Sequence, residues 1–140
     1  MRIKIEAPSQ YIFETTITVR VTDLNYADHL SNDRLLTYAH QARVELFASW
    51  GQEELKFGGV GIIMTDAALV FLAEGHLNDV LKIEVGLTDI SKVGFDLIYR
   101  LMNIKTQKEV AMIKTGIICY DYDRKKVVAI PEVILPYLKQ

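Results

Sequence analysis

Apolar side chains recur every three or four residues in one long segment of the chain, 33–50. The members of this stripe are Leu35, Leu36, Ala39, Ala42, Leu46, Phe47 and Trp50. Such spacing places side chains along one face of an α-helix. Ser31 or Asn32 is expected to cap the start of this helix, and Gly51 to end it in a left-handed conformation. The pattern therefore predicts one long amphipathic helix.

The rest of the chain consists mainly of alternating or continuously apolar runs that are typical of β-strands. The predicted strands are Tyr11–Val21, Ile62–Leu72, Val80–Thr88, Phe95–Leu101 and Val110–Tyr120, with a short strand and a turn of helix in Val127–Leu138. Ile62–Leu72 is apolar on both faces, which favours a central strand covered on both sides. The charged connection Gln52–Lys56 is long enough for a further helical turn.

The order of these elements limits the fold. Strands joined by short turns pair antiparallel, and the long helix can bury its stripe only on the concave face of the sheet. The sequence therefore predicts an α+β fold in which a curved antiparallel sheet of about five strands wraps one long helix. A chain of 140 residues, 50% of them hydrophobic, suits a single domain that spans 1–140.

Charge and cysteine content argue against several classes of protein. A net charge of −2 gives no electrostatic basis for binding nucleic acid or an anionic membrane surface. The single cysteine, Cys119, excludes an internal disulfide and permits a reducing compartment. No apolar run reaches membrane-spanning length, and charges in Met1–Glu6 lie where a signal peptide is apolar. A cytoplasmic protein without nucleic-acid or membrane partners is expected.

The ten residues before the helix, Asp23–Asn32, contain most of the candidate chemistry. They bring carboxylates, amides and a histidine together directly in front of a helix N-terminus. Backbone amides at such a terminus can donate to an oxygen that gains negative charge during a reaction. We therefore expect the functional site at this junction, with the amides near Asn32 as the donors.

The junction and the order of elements resemble those of hotdog-fold thioesterases of the 4-hydroxybenzoyl-CoA thioesterase-like group, and plant acyl-ACP thioesterases have a similar motif. The group's pattern is Asp-x-Asp-x-x-Gly-His-hydrophobic-x-Asn, followed by a helix with an aromatic residue and then Ala-Arg. Asp23–Asn32 matches this pattern without gaps, and Tyr38 and Ala42-Arg43 follow in the predicted helix. The resemblance implies a hotdog fold, hydrolysis of an acyl-CoA or acyl-ACP thioester without a further cofactor, and a homodimer or a dimer of dimers.

Two positions depart from the group's pattern. Its second Asp, usually the catalytic carboxylate, corresponds to Asn25, and its Gly corresponds to Asp28. An amide does not accept protons near neutral pH, so Asn25 can orient water or the thioester oxygen but cannot act as base or nucleophile. The candidate bases are then Asp28, Asp23, His29 and Asp66, with Asp28 beside His29 the best placed locally.

Asp66 lies outside the junction, in the apolar strand 62–72, on the face that also carries Met64, Ala68 and Val70. A carboxylate in such a strand is expected to be wholly or partly buried, which is rare without a partner or a task. The resemblance implies that the facing subunit of a hotdog dimer contributes this strand to the active site. Asp66 is therefore a candidate catalytic residue, with a structural hydrogen bond as the alternative.

The other candidates have structural interpretations as well. Asp28 can solvate the loop, Asp23 can make a turn hydrogen bond, and His29 can tie the loop to the sheet. The candidate substrate-binding residues are Tyr26, Ser31 and Asn32, of which the last also suits a cap or a loop brace. No cluster of His, Cys and Asp has metal-ligand spacing, so no metal site is expected.

Two functions from different classes remain open at this point. The leading hypothesis is a thioesterase with an apolar acyl tunnel between helix and sheet. The alternative is a hotdog protein that binds an acyl thioester or another small apolar ligand without turning it over, and Asn25 favours this alternative. A hotdog hydratase is a weaker third, because its Asp/His motif is not visible. His40, His76 and Cys119 are expected to play no part in the chemistry.

Overall fold

The computed structural model describes residues 1–139, which form six strands and one long helix joined by turns and loops. The elements in order are β1 (Phe13–Thr18), α1 (Arg34–Ser49), β2 (Gly61–Phe71), β3 (Val80–Thr88), β4 (Gly94–Asn103), β5 (Glu109–Asp121), β6 (Lys126–Val127) and α2 (Leu135–Leu138). A 3-10 turn at Val21–Asp23 connects β1 to the loop before α1. The predicted helix and strands are confirmed, although β1 is shorter than the pattern suggested.

The strands form one antiparallel sheet in the order β1-β3-β4-β5-β2, with β6 paired to the end of β5. The helix α1 packs against this sheet, contacting β1, β3 and β5. Apolar side chains of α1 and of the three middle strands form one buried core, which includes Leu35, Leu46, Phe47, Ile83, Leu97 and Ile113. The predicted α+β organisation is therefore confirmed. Within the described residues, no helix has the length and apolar composition needed to cross a membrane.

The start of α1 differs from the predicted cap. Asp33 occupies the N-cap position, and its side chain makes no capping hydrogen bond. Ser31 and Asn32 act through their backbone, because their carbonyls accept the amides of Arg34 and Leu35 at 3.1 and 3.4 Å. The prediction of Ser31 or Asn32 as the cap is therefore wrong, since the Ser31 hydroxyl donates to the Asp33 carboxylate instead.

The end of α1 agrees with the prediction. Gly51 has a φ of +72°, in the left-handed region that glycine adopts without a steric cost. The next amide, of Gln52, returns to the Phe47 carbonyl at 2.8 Å. This bond satisfies one of the carbonyls that a helix leaves without an intrahelical partner at its end.

The connection from α1 to β2 consists of tight turns. Glu53 and Lys56 exchange backbone hydrogen bonds of 3.3 and 3.1 Å, and Phe57 and Val60 exchange bonds of 2.7 and 3.3 Å. Phe57 is fully buried and so anchors this segment to the core. The segment 52–56 therefore does not form the further helical turn for which it has the length, because its backbone groups pair across turns instead.

The strand β2 lies at one edge of the sheet, where it pairs with β5. Its middle residues Met64–Ala67 are exposed. The prediction of a central strand covered on both faces is therefore wrong for the single chain. Apolar residues on an exposed edge are unusual in a monomer, because an unpaired strand invites pairing with another chain.

Candidate active site at the start of the long helix

The loop before α1 is closed by its own hydrogen bonds. The backbone N–H of Asn25 donates to the His29 carbonyl at 2.8 Å, and the backbone N–H of Asp28 donates to the backbone carbonyl of Asn25 at 3.0 Å. The side-chain oxygen of Asn25 accepts the amides of Ala27 and His29, at 2.8 and 3.2 Å. An amide oxygen has two acceptor positions, and both are used here, so Asn25 organises the loop.

Asp28 occupies a backbone position that suits glycine. Its φ is +62°, in the left-handed region where Asp and Asn are tolerated better than other residues with a side chain. The residue is exposed, and it does not line the groove described below. The Gly of the thioesterase pattern corresponds to this position, so the pattern and the backbone conformation agree.

Asp23 is a buried link between the end of β1 and α1. Its carboxylate accepts the Tyr38 hydroxyl at 2.6 Å and the Arg20 amide at 3.1 Å, and the residue is 3% exposed. Burial by itself raises the pKa of this carboxyl, but the Tyr38 hydrogen bond, the Arg20 amide and the charges of Arg20 and Arg34 lower the pKa below its ordinary value. Asp23 therefore has a structural role, tying the loop to the helix.

His29 is held against the segment that follows β2. The amide of Leu30 donates to the Gly75 carbonyl at 2.7 Å, and Leu30 packs on Gly75 so closely that a Cβ there would lie 2.9 Å from the Leu30 Cβ. This contact places the side chains of His29 and Glu74, which precede Leu30 and Gly75 in the sequence, opposite each other. His29 Nε2 lies 3.3 Å from Glu74 Oε2 and 36% of the His29 side chain is exposed.

A groove of about 320 Å³ lies between the start of α1 and the end of β2. Asn25, His29, Asn32 and Glu74 are among its polar lining residues. Its apolar lining includes Leu30, Leu35, Phe71, Leu72 and Val110. The first residues of the helix, a histidine–carboxylate pair and an apolar wall thus meet at one place.

Only one of the three predicted substrate-binding residues lines this groove. Asn32 lines the groove and is exposed. Tyr26 is fully exposed at the tip of the loop, outside the groove lining. Ser31 is half-buried, with its hydroxyl donated to Asp33. The geometry therefore favours Asn32 over the other two as a group that can meet a ligand.

Asp66 is not at this site. The register places Met64 opposite Ile117 and Asp66 opposite Gly116, so Thr65 is an extra residue in a β-bulge. Residues directly opposite in a sheet share a face, so Met64 and Asp66 lie on different faces. The Asp66 side chain is 57% exposed and pairs with Lys114. The expectation of a buried Asp66 on the Met64 face is therefore wrong, because the bulge reverses the alternation.

Glu74 is the groove residue that sequence reasoning missed. In the sequence it follows the predicted strand Ile62–Leu72 among polar residues, with no signal that links it to the junction. The pairing of β2 with β5 and the Leu30–Gly75 contact bring it to His29. The one available hint is a charged residue two positions after the predicted apolar strand.

His76 joins the same corner of the molecule. Its Nε2 lies 3.7 Å from Glu74 Oε2, and its ring meets the His29 ring edge-on with centroids 5.1 Å apart. Ligand atoms of His29, Glu74 and His76 all lie within 4.8 Å of one another. The fold thus assembles three residues of metal-ligating types that have no metal-site spacing in the sequence.

The other residues singled out by the sequence are structural or peripheral. Cys119 is fully buried, and burial raises the pKa of its thiol to about 11, so it packs as an apolar residue. Arg43, from the Ala-Arg of the pattern, is buried and donates to Glu54 at 2.8 Å and to the Tyr99 hydroxyl at 3.4 Å. His40 is exposed on α1, with its Nε2 3.3 Å from Glu54 Oε1.

Residues 19–138 match a sequence model of the thioesterase-like superfamily. The chain belongs to this superfamily. A comparison with curated protein sequences finds no match. The family match covers the junction, the groove and every strand except β1, so the site lies within the part of the chain that defines the superfamily.

Solved structures of thioesterases have the same fold as this superfamily member. The 1,4-dihydroxy-2-naphthoyl-CoA thioesterase from Synechocystis aligns with a TM-score of 0.83 and 19% identity, covering 90% of this chain and 94% of that chain. A thioesterase-superfamily protein from Jannaschia sp. CCS1 aligns with a TM-score of 0.83, 13% identity and coverages of 94% and 83%. The DHNA-CoA thioesterase from Staphylococcus aureus aligns with a TM-score of 0.75, 16% identity and coverages of 83% and 78%. The hotdog fold that the resemblance implied is confirmed.

Proposed function

We propose that this protein is a thioesterase that hydrolyses an acyl thioester of CoA or of acyl carrier protein in the groove at the start of α1. The observation that carries the proposal is the meeting of His29, Glu74 and the helix N-terminus in one groove of about 320 Å³. Thioester hydrolysis needs a base for water and donors for the carbonyl oxygen, and this groove offers both. Membership of the thioesterase-like superfamily supports the reaction type.

His29 is the proposed base, and Glu74 is its positioning residue. With the Nε2–H directed towards Glu74, 3.3 Å away, the lone pair of the imidazole lies on Nδ1. Water gives its proton to this nitrogen and adds to the thioester carbonyl. The C–S bond then breaks, and the imidazolium returns the proton to the leaving thiolate. This arrangement needs no carboxylate at position 25, where Asn25 holds the loop through its oxygen.

The carbonyl oxygen of the substrate is proposed to face the first residues of α1. The amides of Arg34 and Leu35 already donate to the carbonyls of Ser31 and Asn32, so the backbone donor that we propose is the amide of Asn32. The helix dipole favours negative charge at this end. Asn32 lines the groove at this point and can add a side-chain donor. These donors act most strongly on the tetrahedral intermediate, because its oxygen carries more charge than the ground-state carbonyl.

The acyl group is proposed to lie along the apolar wall of the groove. Phe71 and Leu72 are about half exposed there although both are large and apolar. Between α1 and the sheet, buried side chains such as Tyr38, Leu46 and Phe47 fill the core. The groove wall, completed by a second copy of the chain against β2, is thus better suited to the acyl group than the internal tunnel expected from the sequence.

The test is steady-state thiol release from a panel of aliphatic and aromatic acyl-CoA and acyl-ACP substrates. Turnover is expected with at least one substrate. H29Q should lower kcat by about 10²- to 10⁴-fold, the usual contribution of a general base, and E74Q should lower kcat by a smaller factor with little change in KM. H40Q is the matched control, because His40 also faces a glutamate but lies away from the groove.

A further variant separates the two candidate bases. D28N removes the charge of Asp28 while keeping a residue type that tolerates the left-handed backbone. Loss of turnover in D28N together with wild-type turnover in H29Q and E74Q would place the base at Asp28 and overturn the assignment to His29.

A second candidate function is binding of an acyl thioester without turnover, and the amide at position 25 favours it. Asn25 stands where the thioesterase pattern has its catalytic carboxylate, and an amide cannot replace that carboxylate chemically. Titration with a non-hydrolysable thioether analogue of acyl-CoA distinguishes the two functions. Saturable binding of the analogue, with no thiol release from any substrate in the panel, would establish the binding protein.

A further inference from the structure

We propose that His29, Glu74 and His76 form a binding site for a borderline transition-metal ion, with Zn²⁺ as its best-suited occupant. Two imidazoles and one carboxylate are a donor set that zinc sites commonly use. Nothing in the proposed hydrolysis requires a metal, so metal binding at this cluster stands independently of the proposed function. The cluster faces solvent, with 36% of the His29, 64% of the Glu74 and 55% of the His76 side chain exposed.

The distances between the donor atoms fit a small cation. In a tetrahedral zinc site, bonds of about 2.0–2.1 Å put neighbouring ligand atoms about 3.3 Å apart. Glu74 Oε2 lies 3.3 Å from His29 Nε2 and 3.7 Å from His76 Nε2. Every pair of ligand atoms in the cluster is within 4.8 Å. Glu74 and His76 are the more exposed of the three ligands, so theirs are the side chains expected to adjust when an ion binds.

The fold holds the three ligands from both sides. On one side, the loop before α1 is fixed by the Asn25 hydrogen bonds, which include the His29 amide. On the other side, the Leu30 amide donates to the carbonyl of Gly75 at 2.7 Å, and Gly75 lies between the ligands Glu74 and His76 in the sequence. A site assembled before the metal arrives loses less conformational freedom on binding than a site made of mobile chains.

Asp79 lies beside His76, where it can approach the ring as carboxylates commonly approach zinc-binding histidines. Its carboxylate accepts the backbone amide of His76 at 2.9 Å, and its Oδ2 lies 3.8 Å from His76 Nδ1. With Nε2 on the metal, the proton of His76 lies on Nδ1 and faces this carboxylate. Such carboxylate–histidine contacts fix the ring and make it a stronger ligand.

Calorimetric titration of the untagged, EDTA-treated protein with ZnCl₂ tests the proposal. The expected result is one saturable Zn²⁺ per chain, no comparable binding of MgCl₂, and a loss of affinity of at least about tenfold in each of H29A, E74Q and H76A. D79N should weaken binding by about tenfold through the lost support of His76. H40A is the matched control, since it removes an exposed histidine that also faces a glutamate.

Spectra of the Co²⁺-substituted protein add a readout that does not depend on heat release. Visible ligand-field bands that saturate at one equivalent, and are absent in H76A, indicate nitrogen and oxygen ligands from this cluster. Thermal melts show that each variant is folded before titration. Wild-type affinity in any one of the three ligand variants, or no saturable Zn²⁺ binding by the wild type, overturns the site.

One consequence rests on the proposed function. A metal on Nε2 of His29 leaves the proton on Nδ1, so the imidazole no longer has the lone pair that accepts a proton from water. Zn²⁺ is therefore expected to inhibit thioester hydrolysis by at least about tenfold, and EDTA to reverse the inhibition. In H76A, Zn²⁺ should slow hydrolysis by a much smaller factor than it does in the wild type. Zinc binding without any hydrolysis contradicts only the function, whereas hydrolysis with no zinc binding contradicts only the metal site.

Discussion

Asn25 and Asp28 show how far a sequence motif predicts the roles of single residues. Both were recognised in the sequence as departures from the thioesterase pattern, at its Asp and its Gly. The structure gives each a local explanation, because Asn25 accepts two loop amides and Asp28 has a φ of +62°. Neither explanation depends on distant parts of the chain. The sequence therefore revealed the two departures but not the local roles of these residues, and the Asp23–Tyr38 hydrogen bond required the packed helix.

The first prediction concerns this buried hydrogen bond. D23N should lower the free energy of unfolding at pH 7 by about 1–3 kcal/mol, because Tyr38 loses a charged acceptor in a buried place. Y38F removes the other partner, and the double variant should be less destabilised than the sum of the two single effects. Urea unfolding followed by circular dichroism measures all three. Strict additivity would show that the contact carries no coupling.

The same pair predicts how stability depends on pH. The pKa of Asp23 is below its ordinary value in the folded state, so protonation favours the unfolded state. Its contribution is complete above the unfolded pKa near 4 and is lost as the pH falls through the lower folded pKa. The stability difference between wild type and D23N should therefore be constant around neutral pH and shrink below about pH 4. An equal difference at pH 3 and pH 7 would falsify this account.

At the scale of elements, one contact and one bulge decide where the candidate residues lie. Leu30 on Gly75 sets the end of β2 against the loop before α1, which brings Glu74 to His29. The extra residue Thr65 reverses the alternation of β2, which takes Asp66 to the outer face. The sequence correctly predicted that a strand and a loop occupy these two stretches of the chain. It did not reveal the bulge, because a continuously apolar strand has no alternation that an inserted residue could disturb.

The next prediction tests the Leu30–Gly75 contact. A Cβ at position 75 would meet the Leu30 side chain at 2.9 and 3.0 Å, so G75A should destabilise the protein by about 1–3 kcal/mol through overpacking. L30A alone should cost about 2–5 kcal/mol as a buried large-to-small change. In the double variant the removed side chain makes room for the new methyl group. The double variant should thus lose less stability than G75A and L30A lose together. If the two single effects simply add, the steric explanation is wrong.

At the scale of the whole molecule, the exposed edge of the sheet is the feature that the single chain leaves unexplained. β2 is last in the strand order, and Met64, Phe71 and Leu72 are each about half exposed along it. The apolar pattern of the same residues predicts a strand that is covered on both sides. Both observations are reconciled if a second copy of the chain covers β2, which is the homo-oligomer that the resemblance implies and that stays a prediction here.

The last prediction concerns this assembly. The wild type should sediment as a dimer or a dimer of dimers, and M64E should raise the dissociation constant at least tenfold, because a buried unpaired charge is costly in an interface. V133E is the control, since Val133 is also apolar and exposed but lies outside β2. Sedimentation equilibrium measures both variants. A monomeric wild type, or equal weakening by the two substitutions, contradicts an interface at β2.

The sequence by itself determined the helix, the strands, the antiparallel arrangement and the position of the junction, because periodicity and turn residues report which side chains avoid water within a short stretch of chain. It also determined which residues of the junction depart from the thioesterase pattern. Only the tertiary structure decided that Glu74 and His76 meet His29, that Asp66 lies on the outer face, and that β2 is an edge. These outcomes depend on strand register and on contacts between segments far apart in sequence, where a single inserted residue changes the face on which a side chain lies.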